Sequence, residues 1–166
     1  MSAADRTALT LKAREAGRVA EAGSSRTAGL WADVLQQVPF FAGISKRQIR
    51  KIAGLGVIAR FDTGAPIVTA GDPGEALYVV LTGRVSVRRG RGRAALEIGP
   101  GAYFGEMALV DGAPRSATFV AKSETICLVL GRKPFARIMK DEPAVAFALL
   151  RTLAARVREL EASPAD

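Results

Sequence analysis

Residues 57–131 alternate short apolar runs with glycine-containing turns, and this alternation limits the possible folds more than any other feature. The predicted strands are residues 57–61, 67–69, 77–81, 85–88, 95–98, 118–121 and 126–130. Turn dipeptides such as Thr63-Gly64 and Thr82-Gly83 separate them. Many short strands joined by regular turns indicate a sandwich, a jelly roll or a small barrel.

Helical patterns lie on both sides of this strand region. The apolar residues at helical spacing are Leu30, Val34, Leu35 and Val38 before the strands, and Phe135, Ile138 and Met139 after them. Pro39 ends the first helix, and Ser45 can cap a second one. Pro143 breaks the helix that follows the strands, and a final helix is predicted from about Ala144 to Ala162. The pattern therefore predicts a mainly β (α+β) domain with helices at both ends.

An N-terminal arm, residues 1–28, precedes the domain, which we assign to residues 29–166. The arm has few large apolar residues, and its thin apolar stripe predicts a helix around Thr7–Ala22 followed by a Gly23-Ser24-Ser25 linker. It could serve as an interaction arm. Because so little of it can be buried, a poorly ordered terminus is the favoured interpretation.

Composition excludes several kinds of active site. The chain has 166 residues and no histidine, which excludes histidine-dependent catalytic triads and metal sites. The single cysteine, Cys127, lies in an apolar run, so we expect a buried core residue and a reducing, cytoplasmic environment. No apolar run approaches the ~20 residues that span a bilayer. We expect a binding protein that is not an enzyme and holds no metal.

The chain is basic, with 24 Lys and Arg against 16 Asp and Glu. Arg88, Arg89, Arg91 and Arg93 cluster in a glycine-containing loop, which could bind nucleic acid or a membrane surface. No aromatic residue interleaves these arginines, and no recognition helix follows them. A solvated hairpin tip is therefore the favoured interpretation of this loop.

The segment from residue 104 to residue 118 carries the pattern of a binding site. Gly105 allows close backbone approach, and residues 106–108 open a short helix whose free N–H groups attract an anion. Arg115 offers a planar fork for two phosphate oxygens. A carboxylate at such a place is expected to accept hydrogen bonds from ligand hydroxyls. The candidate ligand-binding residues here are Gly105, Glu106, Met107, Ala108, Arg115 and Ser116.

This segment resembles the phosphate-binding cassette of the cyclic nucleotide-binding domain family, where Phe-Gly-Glu-(apolar)-Ala-Leu precedes Pro-Arg-Ser/Ala-Ala-Thr. The resemblance implies that Glu106 holds the ribose 2′-hydroxyl and that Arg115 holds the cyclic phosphate. It covers about residues 30–161 and implies an antiparallel β-roll, or jelly roll, of about eight strands with N-terminal helices and two C-terminal helices. In the family the last helix closes over the base, so Arg151 or Arg156 could reach the ligand, and Arg156 is the seventh candidate ligand-binding residue.

The resemblance implies a cytoplasmic signal-transduction sensor that binds cAMP in preference to cGMP and needs no cofactor. Ser116 leaves cGMP open, because a hydroxyl after the arginine can reach a guanine amino group. No fused effector, DNA-binding domain or transmembrane segment is expected, so a separate effector protein is an implied partner. The wide apolar stripe of the last helix could face the ligand or a second subunit. The alternatives are a ligand-independent interaction module of the same fold and a basic nucleic-acid-binding protein.

Overall fold

The fold is described from a computed structural model over residues 19–22, 29–90 and 95–163. The strands are β1 (Val19–Ala22), β2 (Val57–Phe61), β3 (Pro66–Val68), β4 (Ala76–Thr82), β5 (Val85–Arg88), β6 (Leu96–Ile98), β7 (Tyr103–Phe104), β8 (Thr118–Ala121) and β9 (Thr125–Gly131). The helices are α1 (Ala32–Gln36), α2 (Lys46–Ala53), α3 (Glu106–Asp111), α4 (Arg132–Asp141) and α5 (Pro143–Ala162), with a 3₁₀ turn at Pro39–Phe41.

Two antiparallel sheets form a β-roll. One sheet has the order β1-β2-β9-β4-β7, and the other has the order β3-β8-β5-β6. The predicted roll of about eight strands with helices at both ends is confirmed, because β2 to β9 account for eight strands. The helix α3 is inserted between β7 and β8, so the segment singled out in the sequence lies where the chain passes from one sheet to the other.

Local sequence signals account for most element boundaries. Ser45 caps α2, since its hydroxyl accepts a hydrogen bond from the Gln48 backbone N–H and the Gln48 side chain accepts one from the Ser45 backbone N–H. The two predicted C-terminal helices are confirmed, and Pro143 occupies the first position of α5. A proline fits there because its missing N–H has no intrahelical partner at that position.

Two short strands differ from the prediction. Val19–Ala22 form a strand that pairs antiparallel with β2, so the predicted helix is wrong at these four residues, and the rest of it lies outside the described residues. The pairing with the edge of β2 overrides the weak helical preference of this stretch. The strand β7 was not predicted, because two residues followed by Gly105 are too short to show alternation.

Two apolar clusters stabilise the roll. The larger one joins the helices to β4 and β9 and includes Val145 and Leu149 of α5. The second fills the space between the sheets and contains Cys127, as predicted from its apolar run. Burial raises the pKa of the Cys127 thiol to about 12. Within the described residues, none of the helices is long and apolar enough to cross a membrane.

Candidate functional site

Gly105 sets the geometry at the start of α3. It has a φ of +93°, a left-handed conformation that L side chains rarely adopt. A Cβ atom at this position would lie 2.4 Å from Nη1 of Arg115 and 2.6 Å from the carbonyl oxygen of Ala76. The missing side chain therefore lets the arginine pass directly over the backbone of the turn.

Arg115 is held in place by the roll itself. Its side chain donates from Nη1 to the carbonyl oxygen of Gly105 at 3.0 Å and from Nη2 to that of Ala76 at 2.7 Å. The residue is only 8% exposed, and this burial lowers the pKa of the guanidinium, while the nearby Tyr78 and Glu106 side chains oppose the shift. These hydrogen bonds therefore fix the orientation of the Arg115 guanidinium, which is the group predicted to bind the phosphate.

Glu106 is held by the C-terminal helix. This carboxylate is 2% exposed, and its Oε1 atom accepts a hydrogen bond from Nη1 of Arg156 at 2.5 Å. The guanidinium of Arg156 also lies 5.5 Å from the ring centroid of Tyr103. Of the two arginines predicted to reach the ligand from the last helix, Arg156 lines the cavity, whereas Arg151 lies over Phe147 on the same helix.

A cavity of about 300 Å³ joins these groups. All seven candidate residues line it, namely Gly105, Glu106, Met107, Ala108, Arg115, Ser116 and Arg156. Its volume falls at the lower end of the range typical of small-ligand sites. One end presents the buried Glu106 and Arg115, and the other is a mostly apolar wall from the four-stranded sheet.

The family model for the cyclic nucleotide-binding domain matches residues 58–142, which include the cavity's charged segment. The chain belongs to the cyclic nucleotide-binding domain family. The segment from Glu106 to Arg115, which the resemblance equates with the family's phosphate-binding cassette, lies within the matched residues. The family recognition made from residues 104–118 is confirmed.

Relatives of this cyclic nucleotide-binding domain include a protein kinase and a receptor protein. The chain is 36% identical over 124 residues to a cGMP-dependent protein kinase from Toxoplasma gondii, a match that covers 75% of this chain and 12% of the kinase. It is 35% identical over 127 residues to the cyclic AMP receptor protein of Thermus thermophilus, covering 74% of this chain and 59% of that protein. It therefore spans less than two thirds of either relative.

A solved structure of the same fold carries a bound nucleotide. The regulatory domain of Toxoplasma gondii PKA, crystallised with cAMP, superposes with a TM-score of 0.65 at 28% identity. The match covers 80% of this chain and 51% of that chain.

Sequence reasoning missed the apolar wall of the domain's cavity and one charged residue beside it. These residues are Val68, Val87, Arg89, Leu96, Ile98 and Phe119. They come from four separate strands and the end of β5, so no contiguous motif joins them. The alternation of inward and outward residues along each strand is the signal that could have found them.

Two further expectations concern charge and metals. The arginine run from Arg88 to Arg93 connects β5 to β6. These strands pair antiparallel, in agreement with the predicted hairpin, and residues 91–94 lie outside the described residues.

Within the described part of the chain, no group of three or more Cys, Asp or Glu residues could hold a metal ion.

Proposed function

We propose that this domain binds a cyclic nucleotide reversibly at the described cavity, as a sensor without a catalytic step. In this proposal Arg115 binds the cyclic phosphate and Glu106 accepts a hydrogen bond from the ribose 2′-hydroxyl. The observation that carries it is the pair of oppositely charged, buried side chains of Glu106 and Arg115, which line the same cavity. The guanidinium of Arg115 donates to neutral carbonyl oxygens, so a ligand anion would offset the cost of burying its charge, and the Glu106 carboxylate can accept a hydrogen bond from a ligand hydroxyl beside the one from Arg156.

The remaining candidates have supporting roles in this proposal. Ala108 is buried beside Glu106, Met107 is half exposed at the cavity, and Ser116 offers a hydroxyl next to Arg115. Ser116 can serve the phosphate or a guanine amino group, so it discriminates poorly between bases. We infer a preference for cAMP over cGMP of no more than about tenfold, or roughly 1.4 kcal/mol.

Arg156 links the ligand to α5 in this proposal. The ribose hydroxyl and Arg156 would share the Glu106 carboxylate, because both donate hydrogen bonds to it. Occupancy therefore changes the interaction that holds the C-terminal helix over the cavity, and the balance of helix positions shifts with it. An effector that reads the position of α5 would be a separate protein or another part of a longer chain.

Isothermal titration with cAMP and cGMP tests the proposal. We expect one site per chain and tighter binding of cAMP. The nucleotide 5′-AMP, which has the same base but an open phosphate, serves as the matched control for the ring phosphate. Two outcomes would overturn the proposal. A binding signal only with duplex DNA or RNA, lost at high salt, would favour the basic nucleic-acid-binding alternative. The absence of a binding signal with any nucleotide would favour the ligand-independent interaction module.

A further inference from the structure

Arg89 lies at one end of the apolar cavity wall. This wall is formed by the four-stranded sheet and not by the cassette. Arg89 follows β5 directly, and it lines the cavity with an exposed side chain. Residues two apart on a strand share a face. Arg89 therefore continues the row of the buried Val87, whereas Arg88 between them is exposed and does not line the cavity.

The guanidinium of Arg89 differs from those of the other two cavity arginines in its interactions with the protein. Arg115 donates to two backbone carbonyls, and Arg156 is paired with Glu106. Arg89 forms no hydrogen bond or ion pair with residues 19–22, 29–90 or 95–163, although it borders the same cavity. Its guanidinium is therefore available to a ligand without breaking an existing contact in that part of the chain.

The wall beside Arg89 suits a planar base. In the four-stranded sheet, Val87 pairs with Leu96 on one side and with Phe119 on the other, so their side chains share one face. Ile98 extends this apolar surface. Because the phosphate and ribose are assigned to the opposite end of the cavity, the base is the part of a cyclic nucleotide that this wall would cover.

We propose that Arg89 reads the edge of the base and raises the affinity for guanine. This inference rests on the proposed function. Guanine presents two acceptors, O6 and N7, that match the two parallel N–H donors of a guanidinium. Adenine presents N7 beside an amino donor, so the same fork can form only one hydrogen bond with it. By raising the affinity for cGMP, Arg89 would reduce the preference of the site for cAMP. Ser116 by itself discriminates little between the two nucleotides.

Replacing Arg89 tests this assignment by the ratio of two affinities. In Arg89→Leu we expect cGMP affinity to fall by about 10- to 100-fold, the effect of one bidentate base contact. The cAMP affinity should change by less than about threefold. Arg88→Leu is the matched control, since it removes the same charge from the neighbouring residue outside the cavity. It should leave the ratio unchanged.

A contact between Arg89 and the phosphate is the alternative to be excluded. In that case Arg89→Leu lowers cAMP and cGMP affinity by the same factor, and Arg89→Lys restores both, because a lysine also serves a phosphate. Base reading predicts instead that these substitutions change only the cGMP affinity, because a lysine can also donate to O6 and N7 of guanine and cAMP never forms the bidentate contact. Base reading also predicts a difference for 7-deaza-cGMP, which lacks the N7 acceptor. The wild-type protein should bind this analogue more weakly than cGMP, whereas Arg89→Leu should bind the analogue and cGMP with the same affinity.

The wild-type titration separates this inference from the proposed function. If the wild-type chain binds neither cAMP nor cGMP, the proposed function fails, and the assignment of Arg89 fails with it. If the wild-type chain binds both and Arg89→Leu leaves their affinity ratio unchanged, the cavity binds cyclic nucleotides and only the assignment of Arg89 is wrong.

Discussion

The proposed phosphate side and the proposed ribose side of the cavity are held by different parts of the chain. Arg115 is fixed by two carbonyl oxygens of the roll, whereas Glu106 is held by Arg156 from the last helix, α5. The partners of Arg115 belong to a strand and to the start of α3, and they move only if the roll deforms. Arg156 is 37% exposed on a helix whose far end has little burial, so its contact can be exchanged. The difference suggests an anchoring site on one side and a reporting site on the other.

The largest effect is expected at the anchoring side. Arg115→Ala should weaken cAMP binding by roughly 1.5–3 kcal/mol or more, because a charged, bidentate contact with the phosphate is lost. It should also lower thermal stability, since the Ala76 and Gly105 carbonyls lose their donor. Titration and a melting curve measure the two effects.

A matched control separates these two effects of the Arg115 substitution. Arg132 donates to the carbonyl of Gly74 at 2.7 Å but does not line the cavity. Arg132→Ala should therefore lower stability with little change in cAMP affinity. If it weakens binding as strongly as Arg115→Ala, the anchoring role is not specific to the phosphate side.

A smaller effect is expected for the carboxylate of the ribose side. Glu106→Gln keeps an acceptor oxygen but loses the charge, so it should weaken cAMP binding less than Glu106→Ala. The analogue 2′-deoxy-cAMP should distinguish wild type from these variants, because it lacks the hydroxyl that Glu106 is expected to bind. Wild type should lose affinity for this analogue, and Glu106→Ala should bind both nucleotides about equally. An equal loss in both proteins would show that Glu106 does not bind the ribose.

The reporting role is tested by the mobility of α5. In Arg156→Leu, which keeps the packing of the aliphatic stem, the ligand-free helix should exchange its amide hydrogens faster over residues 153–160. Because the substitution leaves the buried Glu106 carboxylate without its cationic partner, the free energy of unfolding should fall by about 1–3 kcal/mol. Hydrogen exchange with and without cAMP gives the measurement, and Arg151→Leu is the control on the same helix. Unchanged exchange in Arg156→Leu would remove the distinction between the two sides.

The smallest effect on binding is expected for Cys127, which lies in the roll away from both sides. Its pKa of about 12 exceeds the ordinary value of 9.0, so above pH 9 the unfolded chain has lost a proton that the folded chain keeps. The free energy of unfolding should therefore fall by about 1.4 kcal/mol per pH unit between those values. Cys127→Ala should show a shallower fall than wild type in denaturant titrations at pH 8 and pH 10, with unchanged cAMP affinity. An identical slope in both proteins would contradict the burial of a protonated thiol.

The fold was predictable from sequence wherever a turn signal bounded a run of several apolar residues. The predicted bounds of β2, β5 and β8 agree with the structure, since Gly or charged residues end each run. The strands β1 and β7 could not be predicted, because only pairing with distant partners stabilises such short segments. Pairing energy is a property of two segments together, and neither segment alone carries it.

The site divides in the same way. Residues 105–116 form one contiguous pattern, and it was found in the sequence. Arg156 was chosen as the candidate on α5, but the sequence could not exclude Arg151, because that requires knowing how α5 docks on the roll. Arg89 was assigned to a solvated loop, since its place at the cavity follows from the register of β5 with its neighbours. Sequence reasoning located the charges that lie close together in the chain and missed one that only the folded sheet brings near.

The left-handed turn at Gly105 also restricts the order in which this site can change during evolution. A side chain at residue 105 would lie 2.4 Å from Nη1 of Arg115 and 2.6 Å from the Ala76 carbonyl oxygen, so the arginine cannot keep its place after such a substitution. The reverse order is open, because Arg115 can be lost while Gly105 keeps the same backbone path. A descendant that abandons the ligand is therefore expected to lose the arginine first and to retain the glycine as a trace of the ancestral site.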